Sequence, residues 1–271
     1  VVPLVAYFLL PGNLTDLITQ SGVTGGANAY LNPFINGDRP YTFVEIFSQL
    51  AWGFGYCGMP HVLVRFMAVR SEKELKKSWV IAIIWDLLSL TAAFAIAVIG
   101  RAYLLPTILG ENGAASSESV FIEMIRKVFT SQLALPFIGG LFLCGILAAI
   151  MSTADSQLLV TASAVSEDLY HNFIKKDADS KEILRVSRIT VIVIAIIAFA
   201  IAWDPNSSIM GLVSNAWAGL GAAFGPIVVM SLFWRRTNLQ GAIAGMVTGG
   251  LTVIIWDYIP LVGGQTLGTY T

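Results

Sequence analysis

Residues 147–157 read Leu-Ala-Ala-Ile-Met-Ser-Thr-Ala-Asp-Ser-Gln. On a helix, Ala149, Ser152, Thr153 and Ser156 fall at i, i+3, i+4 and i+7 and share one face. Hard cations such as sodium take oxygen ligands. Two hydroxyls beside an alanine, whose carbonyl can be approached closely, therefore offer a neutral oxygen site. The same hydroxyls can instead bond their own i−4 carbonyls or a neighbouring helix, and the residues alone leave both readings open. Asp155 lies on the shoulder of this face. A charge at the centre of an apolar span costs roughly 2.5–3.5 kcal/mol on insertion scales, so Asp155 is a functional candidate. Its offset suits an orienting role behind the ligands better than direct ligation. Asp86 meets the same criterion less strongly in the preceding span, where hydration or a neighbour can satisfy it.

A second constellation is Trp-Gly-Phe-Gly-Tyr-Cys-Gly-Met-Pro-His at 52–61. Gly53, Gly55 and Gly58 match the letters of the dinucleotide fingerprint, but that fingerprint works only between a strand and a helix. Here it sits in an apolar run with Pro60 close behind. Each interior glycine costs a helix about 1 kcal/mol and a proline about 3, so the helix should unwind locally. Backbone freed at membrane depth is tolerated only inside protein or beside a cavity, and discontinuous spans build the midplane sites of secondary transporters. Trp52, Tyr56 and Pro60, four apart, would share a face where the helix persists. The other reading is that the glycines let helices pack closely and the aromatics fill space.

The elements that would position these residues are membrane spans. Of 271 residues, 56% are hydrophobic and 12% charged, with a mean hydropathy of +0.74. Soluble domains carry about 25% charge, so this composition excludes a disordered chain and a nucleic-acid binder and points away from a water-soluble enzyme. Net charge is −1. Cys57 and Cys144 both lie in apolar runs, and two histidines with two cysteines cannot furnish the usual zinc or iron–sulfur sets. A crossing helix needs about 20 mostly apolar residues, which gives spans near 41–64, 78–104, 134–160, 186–203, 208–234 and 239–259. The run 1–11 is expected to be the tail of a further span, and the chain a fragment lacking both termini. Twelve basic residues fall in alternate loops (65–77, 175–188 and Arg235–Arg236) against four elsewhere, which places those loops in the cytoplasm. Residues 12–40 then read as an external loop. The stretch 120–129 reads as a short amphipathic helix on the external face.

The run from Ala51 to Tyr56 through Gly58, then Pro60-His61 and Arg65-Phe66-Met67-Ala68, resembles the sodium/solute symporters, most of all their proline carriers. Leu147 to Thr153, with Gln157-Leu158-Leu159-Val160 and Glu167-Asp168-Leu169-Tyr170, looks like that family's signature helix. Ala216-Trp217-Ala218-Gly219 with Gly221 to Pro226 is a third match. The resemblance implies an all-α polytopic membrane helix bundle, part of a LeuT-like inverted-repeat transporter core. It implies sodium-coupled secondary active symport of proline or a similar small solute across the cell membrane, with no enzymatic step and no cofactor beyond Na+ as coupling ion. The partners would be the solute, Na+ and the lipid bilayer, with no nucleic acid. By the same resemblance Trp52, Tyr56 and Pro60 match the proline pocket, and Ala149, Ser152 and Thr153 the sodium site. Ser156 stands near the substrate, where the best-known proline carriers have cysteine. Cys57 and Met59 replace the family's Phe and Gln beside the pocket. Two other functions remain open, a proton-coupled carrier using Asp155 and a membrane sensor on the same core.

Overall fold

In an apolar solvent a chain satisfies its backbone N–H and C=O groups only through helices or closed barrels, and the apolar runs of this chain form helices. The computed structural model describes residues 1–104, 117–203 and 208–256. Five helices among the described residues are long and apolar enough to cross a membrane. Many of their large side chains stay exposed, among them Trp85, Phe137 and Ile196, as contact with lipid requires. The molecule is an all-α polytopic membrane helix bundle. It divides into two compact units, Val1–Met124 with Ser208–Thr271, and Ile125–Ser207.

In the first unit, α1 (Val2–Phe8) packs on a 32-residue helix, α6 (Glu72–Tyr103). Residues 12–40 are not a plain loop. They fold into α2 (Leu14–Gln20), α3 (Gly26–Tyr30) and a hairpin pairing β1 (Ile35–Asn36) with β2 (Arg39–Pro40). Gly37, at φ 62°, supplies the left-handed residue of the tight turn. Leu14, Leu17 and Ile18 at helical spacing give the physical reason for α2. Ile18 is buried with Ala27, Val98 and Ala102, so this segment docks on the end of α6. Arg101 secures it, donating to Ser21 Oγ at 2.9 Å and lying over the Tyr30 ring.

α4 (Phe43–Gly55) starts at a capping box, in which Thr42 Oγ1 accepts from the Glu45 N–H and the Glu45 carboxylate accepts from the Thr42 N–H. Arg39 holds the same carboxylate through two bonds of 2.9 and 2.7 Å. The α-helix stops at Gly55. One 3₁₀ turn follows over Tyr56–Gly58, Met59 is extended (φ −86°, ψ 112°), and Pro60 opens α5 (Pro60–Met67). This interruption packs on α10 (Ile209–Phe233), which in turn packs on α11 (Leu239–Trp256). A side chain at Gly55 would collide with the Trp217 ring, and one at Gly58 with the Leu220 carbonyl. From the other side, a Cβ on Gly221 would stand 2.8 Å from Gly55 Cα. Gly53 faces open space.

The amphipathic stretch forms α7 (Val120–Ile125), which runs into a π-helical turn, Arg126–Gln132. Val120 and Met124 fill the notch at Gly100 of α6. In the second unit, α8 (Pro136–Ser163) continues as a π-helical tail to Ile174 and packs on α9 (Ser180–Ile201). Glu182 clasps the connection, accepting from Tyr170 at 2.7 Å and from Lys175 at 2.9 Å on the same oxygen. Trp203 and Trp234 sit at helix ends, Trp79 lies two turns inside α6, and all three are exposed. The last three residues of the span expected at 239–259 lie outside the described residues.

The packing separates the three glycines energetically. Gly55→Ala and Gly58→Ala should each lower stability by about 1–3 kcal/mol, as overpacking does. Gly53→Ala should instead stabilise by up to about 1 kcal/mol through helix propensity. Thermal unfolding of the three variants in detergent checks the order, and equal effects would contradict it.

Candidate functional site

The helix interruption collects aromatic rings. Gly55, lacking a side chain, lets the Trp217 ring of α10 lie flat against α4, between Trp52 one turn before and Tyr56 just after. Trp52 stacks on Trp217 at 6.2 Å between centroids with 28° between planes, and Tyr56 meets it edge-on at 4.9 Å and 81°. Trp217 Nε1 is buried without a hydrogen-bond partner. Beside this trio runs a groove of about 750 Å³, lined by Ser48, Trp52, Asn215, Trp217, Thr252 and Trp256 among others. Tyr56 and Pro60 do not line it. Tyr56 is 54% exposed and meets the lining residue Trp217 edge-on. Met59 is buried at 2% exposure within the interruption, and Cys57 is half-buried.

The hydroxyl face belongs to the other unit, on the uninterrupted helix α8. Thr153 Oγ1 donates to the Ala149 carbonyl at 3.2 Å, and Ser156 Oγ to the Ser152 carbonyl at 2.9 Å. These are i−4 bonds within the helix. Each such bond turns a hydroxyl proton inward and leaves oxygen lone pairs outward, so Thr153 Oγ1 and the Ala149 carbonyl form one adjacent oxygen pair. Ala149, Ser152, Thr153 and Asp155 are exposed and Ser156 is half-buried. Among the described residues no three His, Cys, Asp or Glu side chains gather as a metal site. Asp86 is exposed on α6.

Two residues escaped the sequence reading as site elements. Trp217 had a signal, being a large aromatic amid the small residues Ala216, Ala218, Gly219 and Gly221. Glu118 had none, because its partners lie some ninety positions away. Its carboxylate covers the start of α10, accepting from the Met210 N–H and the Ser208 hydroxyl on one oxygen (3.2 and 3.0 Å) and from the Ile209 N–H on the other (3.2 Å). Ser208 Oγ in turn accepts from the Gly211 N–H. The helix that presents Trp217 is thus fixed at its N-terminus by a group from a distant connection.

The model of the sodium:solute symporter family matches residues 28–249. The sodium/proline symporter of Escherichia coli is 44% identical over 223 residues, covering 82% of this chain and 43% of that protein. The osmoregulated proline transporter OpuE of Bacillus subtilis is 46% identical over 213 residues, 79% of this chain and 42% of its own length. Sodium/proline symporter 2 of Staphylococcus saprophyticus is 42% identical over 261 residues, 94% of this chain and 49% of its own. The chain spans less than half the length of each of these relatives. No solved structure gives a significant match.

The Glu118 cap sets a pH dependence. Donation from the Met210 and Ile209 N–H groups and the Ser208 hydroxyl favours the ionised carboxylate and holds its pKa below the ordinary 4.5. A carboxyl lowered by folding stabilises fully above its unfolded pKa, and that contribution is lost as pH falls through the folded value. Glu118→Gln should therefore be less stable at neutral pH, with the gap to the parent closing as pH drops below that ordinary value. Unfolding temperatures followed across pH in detergent measure it, and a constant gap would refute the cap.

Proposed function

The chain belongs to the sodium:solute symporter family, and we propose that it forms part of the core of a carrier that brings proline or a similar small solute into the cell with sodium. Relatives whose names give sodium and proline support the coupling ion and the solute. On this chain the reading is carried by one observation: an interrupted helix whose rings, Trp52 and Tyr56, are gathered by Trp217 beside a largely apolar groove. Pockets of this make-up, with few convergent polar groups, hold small ligands.

In this mechanism sodium is bound by the Ala149 carbonyl and the Ser152 and Thr153 hydroxyls, with Asp155 behind them. The solute is held against Trp52 and Tyr56, near Pro60. No covalent bond is made or broken. Coupling arises because sodium binds the outward-open state better, so its occupancy raises the population that accepts solute, and the doubly loaded protein then rocks inward. Each sodium ion moving down a membrane potential gains about 2.3 kcal/mol per 100 mV. That suffices for roughly 40-fold accumulation of a solute without net charge.

Uptake of labelled proline by the full-length protein in vesicles, with and without a sodium gradient, tests the reading directly. Ser152→Ala and Thr153→Ala should raise the sodium needed for half-maximal uptake at least about five-fold, the worth of one polar contact. Trp52→Ala and Tyr56→Ala should weaken solute binding about ten-fold through lost ring contacts and leave the sodium requirement in place. Unchanged sodium dependence in the first pair, or unchanged solute binding in the second, removes that site from the mechanism.

Asp155→Asn separates sodium coupling from proton coupling. It should keep sodium-driven accumulation at a lower rate. Loss of accumulation with solute exchange intact, in a protein driven by a pH gradient alone, would make Asp155 the proton carrier instead.

A further inference from the structure

The groove beside the helix interruption has no charged side chain among its described lining residues. A proline-like solute brings a carboxylate, and a carboxylate taken out of water needs hydrogen-bond donors. Neutral groups must supply them. Ser214 and Thr252, both on the lining, already donate to the carbonyls of Gly211 and Thr248, at 3.0 and 2.7 Å. Ser48, Asn215, Trp52 and Trp256 also bring donors to the lining, and among the described lining residues the indole N–H of Trp217 is the one that is buried without a partner. Buried donors in native proteins are nearly always paired, and leaving one unmade is costly. This donor is therefore poised to gain a partner when the ring moves.

No hydrogen bond of the indole N–H holds the ring where it lies. The ring lies in a notch that exists because Gly55 has no side chain, and a Cβ there would stand 2.6 Å from Nε1. Trp52 and Tyr56 frame the ring by stacking and edge contact, without a hydrogen bond that would pin it. We propose that Trp217 is a solute-binding residue whose indole N–H donates to the solute carboxylate as the ring turns out of the Gly55 notch. The proposal rests on the reading of the solute as proline-like. It adds a donor on α10 to the aromatic face of α4, so that one bound molecule joins the two helices.

The test is equilibrium binding of L-proline to the full-length protein at saturating sodium, with L-prolinamide as competitor. Trp217→Phe removes the N–H and keeps an aromatic ring. Replacement of Trp217 by benzothienylalanine removes the N–H and keeps the shape, so it reads the donor even where phenylalanine disturbs folding. Both should weaken proline binding at least about ten-fold, the worth of a hydrogen bond to a charged group, and should shrink the preference for proline over prolinamide by the same factor. Unchanged proline affinity in the benzothienylalanine protein would overturn the proposal, as would an equal loss for proline and prolinamide. Failure of the unmodified protein to bind proline would instead bring down the solute reading on which it rests.

Discussion

A peptide group without a partner costs several kcal/mol in hydrocarbon, and the chain leaves its α-helical pattern at Tyr56–Met59 inside an apolar segment. The surrounding structure depends on how that interruption is accommodated. Part of the answer is local. The Met59 N–H reaches back to the Tyr56 carbonyl at 3.2 Å, and the Met59 carbonyl accepts from Val62 and Leu63 at 3.1 and 3.0 Å. The rest is burial against another helix. Gly58 and Met59 are shielded, and α10 comes close enough to shield them only because Gly221 and Gly225 put no side chain in the way. Small residues at both contact points are the usual means of close helix approach where no water drives association.

The dependence extends one helix further. Pro226 lies inside α10 and brings no N–H, so the Ala222 carbonyl one turn earlier loses its helical donor. Gly249 of α11 packs directly on that carbonyl, where any side chain would collide. The neighbour that supports the interrupted α4 therefore carries an irregularity of its own and is covered by α11. Three helices are held in sequence by backbone-to-backbone approach. At the other end of α10, Glu118 occupies the free N–H groups of the first turn. The helix presenting Trp217 is constrained at its start by charge and at its middle by close packing.

Much of this was legible in the residues, and the remainder was hidden for identifiable reasons. Composition and apolar run length gave a membrane helix bundle, because the demand for internal hydrogen bonds leaves few alternatives. The three glycines and Pro60 pointed to the interruption, but propensity treats all glycines alike. Tertiary packing alone separates Gly55 and Gly58, which receive α10, from Gly53, which faces open space. The two readings of that segment, an opened helix and a close-packed one, turn out to be compatible, since the same residues that break α4 admit its neighbour. Residues 12–40 looked like a loop because their Gly, Asn and Pro content outweighed the short stripe Leu14, Leu17 and Ile18. The capping signal at Thr42 and Glu45 stood in the open as Thr-x-x-Glu and went unread. The Glu118 cap was illegible in principle, since nothing local to residue 118 specifies a partner at 208–210.

The hydroxyl face on α8 contrasts with the interruption in α4. No backbone is freed there, because the helix runs unbroken from Pro136 to Ser163, and the Thr153 and Ser156 hydroxyls are bonded back to i−4 carbonyls. For the sodium site proposed on this face, neutrality has a kinetic consequence. Cation affinity rises with the number of charged ligands, and a carrier must release its ion on every cycle, so binding has to be favourable enough to enter and weak enough to leave. A carboxylate ligand would bind sodium more tightly and would also compete for protons. In that proposal Asp155 stays on the shoulder of the face and Ser152 and Thr153 stand at its centre, so no carboxylate ligates the ion directly. The solute groove likewise has no charged residue among its described lining residues. Both proposed ligands would then be held by neutral donors and acceptors.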